Sequence, residues 1–80
     1  MKYNDVKTFL KLIGKNKPFA VYFTKTMAQI EDNDFNSDYF EVSDYEELLE
    51  NSLLVITDND GMKDYYLFDL EIITQLRTNY

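Results

Sequence analysis

Residues 53–68, LLVITDNDGMKDYYLF, place a tight turn between two apolar runs, and this stretch decides the fold. Residues 53–57 are apolar and β-branched, as in a buried strand. Residues 58–61 form a strong hairpin signal because Asp-Gly supplies the positive φ angles that tight turns need. Residues 63–68 are therefore predicted to return as an antiparallel strand.

The segments before this hairpin predict one helix and at least two further strands. Val6, Phe9, Leu10 and Ile13 recur at helical spacing, and Gly14 suits the end of that helix. Residues 19–24 form a dense aromatic and β-branched run typical of a central strand. Residues 27–30 fit either a second strand, which we favour, or a helical turn; residues 32–37 have loop composition, and residues 38–42 predict a short strand.

Two more helices are predicted from local capping signals. Residues 43–46, Ser-Asp-Tyr-Glu, have the form of a capping box, which predicts a helix over residues 44–51. On such a helix Asp44, Glu47 and Glu50 would form an outward acidic stripe that contributes little to folding. Residues 69–77 predict a last helix with Asp69 as its N-cap.

These elements give the order α-β-β-α-β-β-α. The predicted architecture is a single α+β domain over residues 1–80, in which three helices pack on a mostly antiparallel sheet of three to five strands.

The composition excludes most catalytic chemistry. The 80 residues contain no Cys and no His, so thiolate sites, thiol nucleophiles and the usual general base are missing. We therefore expect a protein that is not an enzyme. No apolar run approaches the ~20 residues of a membrane span, and no leader is evident, so the expected location is the bacterial cytoplasm, outside any membrane.

Charge is distributed unevenly along the chain. Residues 1–30 hold six Lys against Asp5, whereas residues 31–80 hold fourteen acids against Lys63 and Arg77, and the formal net charge is −7. That charge repels a phosphate backbone, so direct binding to nucleic acid is not expected.

The acidic run over residues 31–50 contains nine carboxylates and no Lys or Arg, with aromatic residues between them. Fixed negative charge beside flat aromatic faces suits the docking of a basic protein. The alternative is a solvated face with no partner. The predicted partner-binding residues are Glu31, Asp32, Asp34, Asp38, Tyr39, Glu41, Asp44, Tyr45, Glu47 and Glu50.

No metal or other cofactor is expected. Asp32, Asp34 and Asn36 resemble the first ligands of an EF-hand calcium loop, but Ser37 replaces its glycine and Ser43 its closing glutamate.

In size, acidity and lack of catalytic residues, the chain resembles the small DNA-mimic inhibitors of phages and mobile elements, of the anti-CRISPR and anti-restriction type. The resemblance covers composition and no motif. It implies that carboxylates occupy the basic groove of a nucleic-acid-binding enzyme and exclude its substrate. Two alternatives stay open: an immunity protein or antitoxin that neutralises a basic nuclease toxin, and a small structural subunit whose apolar elements form a homo-oligomer.

Overall fold

A computed structural model describes residues 1–24 and 39–78 of the chain. The strands form two three-stranded antiparallel sheets, in the orders β2-β1-β6 and β3-β4-β5. The elements are α1 (Tyr3–Ile13), β1 (Phe19–Phe23), β2 (Tyr39–Val42), β3 (Asp44–Leu48), β4 (Ser52–Asn59), β5 (Met62–Asp69), a 3-10 helix (Leu70–Ile72) and β6 (Ile73–Arg77).

The predicted α+β class with three helices on one sheet is therefore wrong. Within the described residues the domain is mostly β, with one α-helix and six strands in two sheets. The predictions for residues 27–30 and 32–37 fall outside the described residues.

The strongest local signals are confirmed. The first helix is α1, with Val6 and Leu10 buried and the Gly14 N–H bonded to the Leu10 carbonyl at 3.0 Å. The strand predicted at residues 19–24 is β1, and the one at residues 38–42 is β2. The hairpin joins β4 to β5 through Asp60 and Gly61, whose φ angles of 53° and 86° are those of a type I′ turn.

The helix predicted over residues 44–51 is wrong, because this segment is the edge strand β3. Ser43 does not cap a helix; its hydroxyl accepts the Asp58 N–H at 3.1 Å, and its own N–H donates to the Ile56 carbonyl. Pairing with β4 gives the backbone of this segment hydrogen-bond partners in a sheet. A helix of only two turns is marginally stable in water, so the strand is favoured. A bulge between Tyr45 and Glu47 keeps Tyr45 and Leu48 on the core side.

The helix predicted over residues 69–77 is also wrong. Asp69 does act as a cap, since its Oδ1 accepts the Glu71 N–H at 3.1 Å, but the helix it begins is a single 3-10 turn. The chain then continues as β6, which pairs with β1 and buries Ile73 and Leu76. The central strand β1 thereby gains its second neighbour.

One hydrophobic core joins α1 to both sheets. The rings of Phe23 in β1 and Phe68 in β5 have centroids 5.5 Å apart, and Phe9 of α1 meets Phe19 edge-on at 5.7 Å. The buried members are Val6, Leu10, Phe19, Val21, Phe23, Val42, Leu53, Val55, Phe68, Leu70, Ile73 and Leu76.

Gly14 carries a backbone conformation that other residues avoid. Its φ of 77° and ψ of −174° lie in a region that is essentially restricted to glycine. An added Cβ meets nothing within 4 Å, so the cost of substitution is conformational rather than steric.

We therefore expect Gly14→Ala to lower the free energy of unfolding by roughly 1–3 kcal/mol, measured by urea denaturation. D-alanine, introduced at the same position by chemical synthesis, has the mirror-image preference and should retain the wild-type stability. Equal losses for the two isomers would contradict the conformational explanation.

Candidate functional site

A groove of about 400 Å³ opens between β2 and the β4–β5 hairpin. It is lined by three acidic residues from two sheets, Glu41 of β2, Asp58 of β4 and Asp64 of β5, and by the aromatic residues Phe40 and Tyr66. We call these five residues the acidic groove. The remaining lining residues are Pro18, Val42, Ser43, Thr57 and Asn59.

Backbone register and the sheet junction hold the carboxylates in place. Asp64 lies directly opposite Thr57, next to the Asp58–Lys63 pair of the hairpin. The Asp58 N–H donates to the hydroxyl of Ser43, which is the single residue between β2 and β3. The Oδ1 of Asp58 accepts the Gly61 N–H at 3.0 Å. The hairpin and the corner where the chain passes from one sheet to the other are thus fastened together.

The aromatic residues of the groove, Phe40 and Tyr66, are held in place by contacts with each other and with the core. Phe40 and Tyr66 meet edge-on, with ring centroids 4.8 Å apart, and Phe40 also lies 6.0 Å from the core ring of Phe68. Because the rings pack on the core, they give the groove an ordered apolar wall beside its charges.

Residues 39–71 are strongly acidic in the folded chain. They contain ten carboxylates against Lys63 alone. Lys15 and Asp44 form an ion pair at 3.6 Å, and within the described ranges 1–24 and 39–78 no three acidic residues cluster closely enough to hold a metal ion. Residues 39–71 therefore carry a large excess of negative charge.

The predicted site residues are dispersed over several elements. Tyr39 stacks on Tyr22 at 5.4 Å and is 41% exposed, and Glu41 lines the acidic groove. Glu47 lies on β3 and Glu50 in the turn that follows it. Glu31, Asp32, Asp34 and Asp38 fall outside the described residues.

Asp44 and Tyr45 take part in an internal junction. The Asp44 carboxylate accepts the Asn16 N–H at 3.0 Å, and Lys15 lies 4.2 Å above the Tyr45 ring while donating to the Tyr45 carbonyl. These contacts fasten the end of α1 to β3. The expected outward stripe of Asp44, Glu47 and Glu50 depended on a helix and does not form.

Asp58, Asp64, Phe40 and Tyr66 are groove residues absent from the predicted set. The Asp-Gly turn was the signal for part of the site, because it fixes the register that pairs Asp64 with Thr57. The approach of Asp58, Asp64 and Tyr66 to Phe40 and Glu41 depends on the packing of two sheets, which no short stretch of sequence contains.

Within residues 1–24 and 39–78, no helix has the length and apolarity needed to cross a bilayer. Comparison of the chain with protein-family models, curated proteins and solved structures gave no match in any of the three.

Proposed function

We propose that the protein is a non-catalytic binding domain that docks on a basic, nucleic-acid-handling protein and competes with its nucleic acid. The observation that carries this proposal is the acidic groove, in which carboxylates from both sheets line the same groove as an aromatic pair. The site of action that fits such a partner is the bacterial cytoplasm.

A Lys or Arg side chain of the partner is the ligand that suits the groove. Carboxylates give charge-assisted hydrogen bonds to a guanidinium or ammonium group. A cation near the face of Tyr66 or Phe40 gains further attraction from the ring, and Arg benefits most because it is planar. The groove therefore favours a basic protein surface over a small neutral molecule.

The wider charge pattern supports a partner that normally binds nucleic acid. Ten carboxylates over residues 39–71 create a negative field that speeds encounter with a positively charged channel. The same field repels phosphates, which argues against direct nucleic-acid binding. The absence of Cys and His from the sequence supports binding rather than chemistry.

The test is affinity capture from a nuclease-treated bacterial lysate, followed by measurement of the captured protein's binding to labelled DNA or RNA. We expect the protein to lower that binding, and the complex to dissociate more readily as salt rises above ~0.15 M, where the Debye length is about 8 Å. A partner that keeps full affinity for nucleic acid in the complex would refute competition. A dedicated nuclease toxin as the partner would select the immunity-protein alternative.

A charge-matched pair of variants locates the contact. The groove variant Glu41→Gln, Asp58→Asn and Asp64→Asn should weaken capture about tenfold or more. Its amides keep the hydrogen-bond acceptor at Asp58 that the hairpin uses. The control variant, which removes the same charge elsewhere on the described surface, is Glu46→Gln, Glu50→Gln and Glu71→Gln. Equal weakening by both variants would show that total charge, and not the groove, directs binding.

A further inference from the structure

The second sheet has an apolar face that points away from the core. Leu53 and Val55 of β4 and Phe68 of β5 belong to the core, so the alternate residues of these strands lie on the opposite face. We call this side the outer face; its apolar residues are Leu54, Ile56, Tyr65 and Leu67.

Much of the outer face is open to solvent. Tyr65 is 56% exposed and Leu67 is 61% exposed, while Ile56 in the central strand is 8% exposed between its neighbours. Cross-strand register places Tyr65 beside Ile56 and Leu67 beside Leu54, so the four side chains form one contiguous patch. Contiguous exposed apolar side chains are a common feature of interaction sites.

We propose that the outer face binds the outer face of a second copy of this chain, forming a two-fold symmetric dimer. The acidic groove shares Asp58 with the outer face, but its lining includes none of these four apolar residues.

The argument for a second copy is that the face is self-complementary. Along β5, Lys63 lies at one end of the outer face and Asp69 at the other, six residues or about 20 Å away. Consider a two-fold axis that lies between the two packed faces, parallel to the sheets and perpendicular to the strands. This axis places each end of β5 over the opposite end of β5 in the second copy. Lys63 then meets Asp69 of the second copy, twice per dimer.

The same axis matches the apolar residues. Tyr65 of one copy lies over Leu67 of the other, and Ile56 lies over Leu54, so each apolar side chain faces an apolar side chain. The second oxygen of Asp69 can accept Lys63, because its Oδ1 already accepts the Glu71 N–H. Face-to-face packing of aligned sheets has this geometry.

The area of the outer face determines how strong the dimer is expected to be. The strands β3, β4 and β5 have five, eight and eight residues and cover roughly 330 Å² per copy, or about 660 Å² for two copies. Stable interfaces bury about 1,200–2,000 Å², so the dimer should be weak and concentration-dependent.

Salt gives the dimer a characteristic response. Each copy carries a net charge of −7, and Asp44, Glu47 and Asp58 also lie on the outer face, where the two-fold axis brings Glu47 over Asp44 of the second copy. Screening this repulsion should outweigh the loss of two exposed ion pairs, so added salt should strengthen the dimer. Binding to a basic partner through the acidic groove should respond in the opposite direction, which separates the two proposals.

Sedimentation velocity of the full chain tests the proposal, over protein concentrations from about 10 µM to about 1 mM at low and high salt. We expect reversible dimer formation that increases with salt. Leu67→Lys should raise the dimer dissociation constant at least about tenfold, because it places a charge in the apolar centre. Leu12→Lys, at a position 81% exposed on α1, is the matched control and should leave the equilibrium close to wild type.

Charge exchange tests the predicted symmetry. At high salt, where the repulsion between the two copies is screened, Lys63→Glu and Asp69→Lys should each weaken the dimer, and the double variant should restore it, since the two exchanged charges again meet with opposite sign across the two-fold axis. Damage to the 3-10 helix cap by Asp69→Lys could not be repaired by a substitution about 20 Å away, so rescue identifies the contact between copies. A monomer at every concentration and salt, or a dimer that Leu67→Lys does not weaken, would overturn the proposal.

Discussion

Leu53→Ala is expected to lower the free energy of unfolding by about 3–5 kcal/mol, as buried Leu-to-Ala substitutions do when the site cannot collapse. Leu53 is fully buried in β4, the central strand of the second sheet, between Leu48 and Phe68 of its neighbours. A domain of this size has a total stability of roughly 4–12 kcal/mol. The substitution should therefore remove about a quarter of the stability of the domain at the least and all of it at the most.

Urea denaturation followed by circular dichroism and tyrosine fluorescence measures this loss. Leu12→Ala is the control, because Leu12 is 81% exposed and should change stability by less than about 0.5 kcal/mol. Similar midpoints for the two variants would mean that β4 does not occupy the centre of the core.

Asp44→Ala is the second substitution with a large expected effect, a loss of roughly 1–3 kcal/mol. The Asp44 side chain is only 13% exposed and accepts the N–H groups of Asn16 and Tyr45, at 3.0 and 2.8 Å. Alanine leaves both donors without this acceptor and removes the partner of Lys15. The end of α1 then loses its main polar contact with β3.

Neighbouring variants separate charge from hydrogen bonding. Asp44→Asn keeps an acceptor oxygen and should lose less stability than Asp44→Ala. Glu47→Gln and Glu50→Gln remove charge from exposed, like-charged positions and should keep or raise stability. Thermal melts of these four variants test the ranking, and an Asp44→Ala midpoint equal to that of Glu47→Gln would contradict a structural role for Asp44.

The elements that sequence reasoning identified are those whose signals are local. The Asp-Gly turn requires positive φ and fixes the β4–β5 register, and the apolar spacing from Val6 to Ile13 defines α1. The two incorrect helices had real local signals as well. Ser43 and Asp69 both accept backbone N–H groups, but Ser43 accepts from a strand 15 residues away.

What decided these segments was pairing with distant strands. β3 pairs with β4, and β6 pairs with β1, to complete the two sheets. A short stretch of sequence contains no information about a partner strand that lies elsewhere in the chain. The candidate site was likewise only partly predictable from the sequence. The acidic character of residues 31–50 was visible in the sequence, but the approach of Glu41 to Asp58 and Asp64 results from the packing of two sheets.

The pairing of β1 with β6 has a consequence for the order in which the chain folds. The β3-β4-β5 meander joins neighbouring segments, and its hairpin closes over a two-residue turn. In contrast, Ala20 pairs with Arg77, 57 positions along the chain. The entropy lost in closing so long a loop must be offset before β6 gains any contact with β1, and such non-local pairing is slow. We therefore expect the second sheet to form early and the docking of β6 beside β1 to complete the native state late.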